Sequence, residues 1–170
     1  MPVSRTRSHP ARTTRAVAAA LGFVAGLRSQ LPFVLLATAA NGGRFAQRSG
    51  KPLSLLRSRG ALATLALGAN AELIADKLPF TPSRIAPAAL AGRLVSGGII
   101  GAAVFGEAGR SAAIGAIVGV TGAGAGSFAG YYARKSLVNA TGFPDFVWAV
   151  TEDAVALGLG LLTIRQFFRE

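Results

Sequence analysis

The chain has 170 residues, 51% of them hydrophobic and only 15% charged, with a formal charge of +11, no cysteine and a single histidine, His9. There is room for one domain, and disulfides, thiolate metal sites and cysteine nucleophiles are excluded. A serine–histidine intramembrane protease or a zincin-type centre is excluded too, because His9 lies in a polar stretch outside the apolar runs.

Residues 1–15 are basic, rich in Ser, Thr and Pro with little to bury, and are expected to form a flexible tail ahead of one helical membrane domain over 16–170. After that tail the apolar residues fall in long runs divided by short charged or Pro-rich breaks, the pattern of a multi-pass membrane protein. A cleaved signal peptide is not expected, because Arg28, Ser29 and Gln30 interrupt what would have to be an unbroken hydrophobic region.

Residues 16–40 read either as one kinked span or as a hairpin that enters and returns, and the cations decide between the two. With a single span, eight cations fall on each side of the membrane. With a helix over 16–26, a turn at 27–32 and a return over 33–40, Arg5, Arg7, Arg12, Arg15, Arg44, Arg48, Lys51, Arg57, Arg59, Arg110, Arg165 and Arg169 collect on one side, against Lys77, Arg84, Arg134 and Lys135 on the other. Lys and Arg favour the cytoplasmic face, so the count favours a re-entrant hairpin with a cytoplasmic N-terminus. Gly26 and Pro32 bracket the polar triplet, and each arm is too short to span. The same clustering of cations beside apolar runs argues against nucleic acid as the partner of the positive charge.

Four fuller spans are predicted over 60–78, 88–105, 111–131 and 146–168, giving an all-α, polytopic architecture. The loop 79–87 holds Pro79, Pro82 and Pro87 and reads as a rigid turn, while 107–110 permits only a tight connection between antiparallel neighbours. Tyr131, Tyr132, Phe143 and Trp148 lie near span ends, where aromatic rings favour the headgroup layer.

Charge inside these runs is the sharpest signal, since an Asp, Lys or Arg near a helix centre costs about 2.5–3.5 kcal/mol on insertion scales. Glu72 and Asp76 share one face of their helix, Glu152 and Asp153 lie a third of the way along the last span, Arg93 lies one turn into its own, and Arg28 stands at the hairpin turn. With Ser29 and Gln30 these residues form the candidate substrate or ion path. A purely structural ion-pair cluster is the competing reading, in which Asp76 and Lys77 only reach for the interface. Gly115, Gly119, Gly122, Gly126 and Gly130 recur at spacings of three and four and form a glycine zipper for close helix packing, a pattern repeated by Gly97 with Gly101 and by Gly22 with Gly26. The G-x-G string at Gly124 is set aside because it falls within a span, and Ser127 lacks any base that would make it a nucleophile.

The stretches GLRSQLPF (26–33), AELIADKLPFTPSR (71–84), AGRLVSGGIIGAA (91–103), GSFAGYYARK (126–135) and EDAVALGLG (152–160) resemble the bacterial membrane-protein family known as domain of unknown function 4126. The resemblance implies a bacterial inner-membrane location and brings no activity with it. Arg28 with Pro32, and Gly130, Tyr131 and Arg134, are also faintly similar to patterns of the DedA superfamily of lipid scramblases and transporters, although no second Pro-containing hairpin is present.

The expectation is a small transporter or lipid translocase in which Arg28 and Arg93 hold an anionic small molecule or lipid headgroup and a carboxylate carries protons. Membrane lipids and a second copy of the chain, as a homodimer, are its expected partners, and no cofactor or metal is expected. The alternative is a non-transporting scaffold whose glycine faces recruit another helix. Enzymatic activity is not expected, because no G-x-G-D string accompanies the carboxylates.

Overall fold

The structure is a computed structural model that describes residues 10–42, 58–75 and 85–169. Six α-helices make up these residues: α1 (Ala11–Leu27), α2 (Leu31–Asn41), α3 (Arg59–Ala75), α4 (Pro87–Glu107), α5 (Ala112–Thr141) and α6 (Asp145–Arg169). The helices α4, α5 and α6 are long and apolar enough to cross a membrane, which marks the chain as a multi-pass membrane protein. The remaining predicted span, 60–78, corresponds to α3, of which 17 residues are described; positions 76–78, with Asp76 and Lys77, lie outside the described residues.

Several boundaries differ from the sequence reading. The helix expected to begin at residue 16 begins at Ala11, because Pro10 sits at the N-cap and Thr14, fully buried, donates its hydroxyl to the Pro10 carbonyl. Residues 1–9 of the expected tail lie outside the described residues. The helix is broken ahead of Pro32 as expected, but Pro32 lies in the first turn of α2, where its missing N–H leaves no bond unmade, so the return arm begins at Leu31 rather than at residue 33. The third full span runs to Thr141, ten residues past its predicted end at 131, and stops where Gly142 adopts φ 68°, a left-handed cap suited to glycine.

The break after Leu27 turns the chain back on itself. Leu35 of α2 and Val24 of α1 both meet the space beside Gly160 of α6, and Val17, Ala18 and Leu21 share one apolar cluster with Leu36, Ala39 and Ala40. A continuous helix would set Val24 and Leu35 about 16 Å apart at 1.5 Å per residue. Ile100, Val104 and Phe105 of α4 and Ile164 and Phe167 of α6 close the same cluster, so the open end of the hairpin is its best-packed part. The turn of the hairpin lies level with Ser127, at the midpoint of α5.

The helices α1, α4 and α5 meet through backbone rather than side chains. A Cβ at Gly22 would strike the Gly119 carbonyl oxygen, one at Gly119 would strike that of Gly97, and one at Gly101 that of Gly115. Two of the five zipper glycines, Gly115 and Gly119, face α4, while Gly122 and Gly126 face Ala19 and Phe23 of α1. Large apolar side chains instead point outward: Val95, Ile99, Ile117, Phe128, Val155 and Leu162 are exposed. A seam of small residues between helices under an apolar coat is the packing expected where lipid, not water, is the solvent.

Candidate functional site

The hairpin turn exposes the last carbonyls of α1 and the amides that lead into α2, which have no intrahelical partners, at mid-bundle. Each set is met by a charged side chain from another helix. Arg93 of α4, 6% exposed, donates from Nη1 to the Gly26 carbonyl at 3.2 Å and the Leu27 carbonyl at 3.0 Å. Ser127, fully buried, adds a bond from its hydroxyl to the Gly26 carbonyl at 3.2 Å. On the other side of the break, Glu72 of α3 accepts the Ser29 N–H at 2.9 Å and the Ser29 hydroxyl at 3.0 Å on Oε1, and the Gln30 N–H at 3.0 Å on Oε2.

These two caps are also a pair, for Arg93 Nη1 lies 3.4 Å from Glu72 Oε1. A cation meets the carbonyl end of one helix and an anion the amide end of the next, as the two helix dipoles require. Without such partners a broken helix is not tolerated at membrane depth, where each unmet backbone group costs several kcal/mol.

The second ion pair is built beside the first. Arg28, 2% exposed, meets Asp153 Oδ1 through both Nε and Nη2. Removing either member would strand a buried charge, at about 3–5 kcal/mol. The side chain of Asp153 is 20% exposed and that of Glu72 14%, so the carboxylates are reached more readily than the guanidinium groups they hold.

The structure therefore brings together six of the eight residues predicted for the path: Arg28, Ser29, Gln30, Glu72, Arg93 and Asp153. Glu152 lies next to them on α6 and lines a neighbouring cleft. One step along α6 from Asp153 turns its side chain by about 100°, into a cleft of about 240 Å³ between α5 and α6 whose walls include Leu27, Gly130, Arg134, Trp148 and Val155. Gly130 thus borders this cleft as well as ending the glycine series. Asp76, the eighth, lies outside the described residues.

Two features were missed from sequence. Ser127 was weighed only as a nucleophile, although a single hydroxyl inside a glycine seam is a signal for a buried donor seeking a carbonyl. Arg134 and Asp145 form a bidentate pair across the turn at 142–144, joining a cation two turns before the end of α5 to the acidic residue that opens α6.

The model of the family described as domain of unknown function DUF4126 matches residues 16–166. The chain belongs to that family. All five stretches that carry the resemblance fall inside the DUF4126 match, and the glycine seam, the hairpin and both ion pairs fall inside it as well. No curated protein and no solved structure matches the chain, and the fainter likeness to the DedA superfamily finds no support.

Proposed function

We propose that this DUF4126 protein is a small transporter or lipid translocase whose passage runs through the paired charges at the hairpin turn, and that it handles an anionic solute or headgroup. One observation carries the reading: a helix broken at the level of the midpoint of α5, its two ends facing an arginine and a glutamate from different helices. Discontinuous helices with charged partners near the bilayer midplane are how many transporters form substrate and ion sites, and ionisable groups at that depth mark such routes by default.

In this reading α1 and α2 form a re-entrant hairpin, the chain lies in a bacterial inner membrane, and its N-terminus is cytoplasmic, following the excess of cations on that side. Arg28 and Arg93 attract the anion and the carboxylates Glu72 and Asp153 balance them when it is absent. Membrane lipids are the surroundings and a homodimer the assembly, since so few helices enclose little more than the turn itself. The scaffold alternative draws less support, because Gly115, Gly119, Gly122 and Gly126 are all spent on contacts inside the chain.

Reconstitution tests the proposal. The protein in vesicles is assayed for scrambling of a fluorescent anionic phospholipid and for entry of small anions, alongside Arg28→Ala and Asp153→Asn. Loss of flux in both variants, with folding retained, is expected. Measurable flux that neither substitution changes would sink the mechanism.

A further inference from the structure

The carboxylate of Glu72 occupies its seat in the manner of a ligand. Its two oxygens are held separately, Oε1 by the Ser29 N–H and hydroxyl and Oε2 by the Gln30 N–H, with the Arg93 guanidinium 3.4 Å from Oε1. Any group with two anionic oxygens, a carboxylate or a phosphate, offers these donors the same pair of acceptors. Three of the donors are fixed by structure that does not depend on Glu72: two are backbone amides at the turn, and Arg93 is held by the carbonyls of Gly26 and Leu27 on the backbone-packed helices.

Among the described residues, Glu72 comes from the least anchored helix. Among the described residues α3 packs chiefly against α2. Gly68 lies over the side chain of Gln30, with 3.8 Å from its Cβ position to Cδ, and Leu67 on the preceding position is 72% exposed. The well-held elements therefore carry the donors, and the loosely held one carries the acceptor.

Resting on the transport reading above, we infer that Glu72 is a tethered stand-in for the anion that this centre accepts. A carboxylate or phosphate group arriving from the lipid headgroup layer or from solution takes the amides of Ser29 and Gln30 and the guanidinium of Arg93, and Glu72 leaves. Two anions cannot share those donors, since at 4 Å like charges repel by about 4 kcal/mol even at an effective dielectric constant of 20. With its carboxylate released, α3 loses its polar anchor to the hairpin and separates from α2. Anion binding and opening of the centre are thus one event.

Cross-linking on this naturally cysteine-free chain reads the event directly. The paired substitutions Gln30→Cys and Gly68→Cys place two thiols at the α2–α3 contact, where Gln30 Cγ lies 3.9 Å from the Gly68 Cβ position. The full chain carrying them is placed in phosphatidylcholine vesicles, and the rate of oxidative cross-linking is measured alone, with inorganic phosphate added, and with phosphatidylglycerol in the bilayer. Rapid cross-linking without anion is expected, slowed roughly tenfold by an anion that prefers the separated state by that factor. Slowing by phosphate identifies a soluble anion, and slowing by phosphatidylglycerol alone identifies a headgroup. Adding Glu72→Gln slows the reaction with no anion present.

A pair that cross-links at one rate in all three mixtures overturns the inference, as does a pair that never cross-links. Flux measured in the same vesicles separates the two claims. Flux with an invariant cross-linking rate leaves the transport reading standing and removes the stand-in; an anion-dependent rate without flux does the reverse.

Discussion

Arg93 and Glu72 stand 3.4 Å apart and between them complete the two severed ends of one helix, the arginine at the Gly26 and Leu27 carbonyls and the glutamate at the Ser29 and Gln30 amides. Neither residue belongs to the hairpin it holds. Any substitution at one of them therefore acts on three helices at once.

For this reason Arg93→Leu is expected to cost about 3–5 kcal/mol, the range for removing one member of a buried pair. Thermal unfolding in detergent measures it. Arg93→Leu combined with Glu72→Gln is expected to be less destabilised than the sum of the single changes, and strict additivity would show that the two do not act as a unit.

The second pair separates burial from mere proximity. Asp153→Asn removes the carboxylate facing a nearly inaccessible Arg28 and is expected to lower both stability and flux. Asp145→Asn breaks the Arg134 pair, whose carboxylate is 62% exposed, and is expected to cost at most about 1 kcal/mol. Equal effects on the unfolding temperature would mean that the Arg28 site is open to water.

Backbone contact predicts a sharp contrast among glycines. A methyl at Gly119 meets the Gly97 carbonyl, which no rotamer change can move aside, so Gly119→Ala is expected to destabilise by about 1–3 kcal/mol. Gly158 has nothing within 4 Å of its Cβ position, and Gly158→Ala is expected to be neutral or slightly stabilising through better helix propensity. Folding yields and detergent melting curves for the two variants check this.

Orientation is tested at positions 50 and 81. In the hairpin topology Gly50→Cys labels from the cytoplasmic side and Thr81→Cys from the opposite side with a membrane-impermeant maleimide. Labelling of both from the outside would reject it.

Much of this arrangement was legible in the residues. The break at Arg28, Ser29 and Gln30 could be read because three polar residues cannot continue an apolar span, and the cation count favoured the fold-back that Val24 and Leu35 display. Glu72, Arg93 and Asp153 stood out because charge in an apolar run needs a reason. The pairing of Arg28 with Asp153 was not legible, since the side chains that α6 turns toward α1 depend on the rotation of that helix, which the letters do not carry. The donor role of the Ser29 and Gln30 amides was invisible for another reason, as backbone groups carry no letter of their own. The extension of α5 to Thr141 was missed because hydropathy follows the apolar letters, whereas a helix ends only where its hydrogen-bond ladder is stopped, here at Gly142.

The close approach of α1, α4 and α5 bears on how such a molecule could move. Where carbonyls and Cα atoms touch, there are no side-chain rotamers to absorb a shear, and sliding one helix past another would drive backbone into backbone. Those three helices must travel as a single body. Motion that opens the charged centre therefore falls first to α3, which stands outside this seam, and the seam serves as a fixed keel against which it swings.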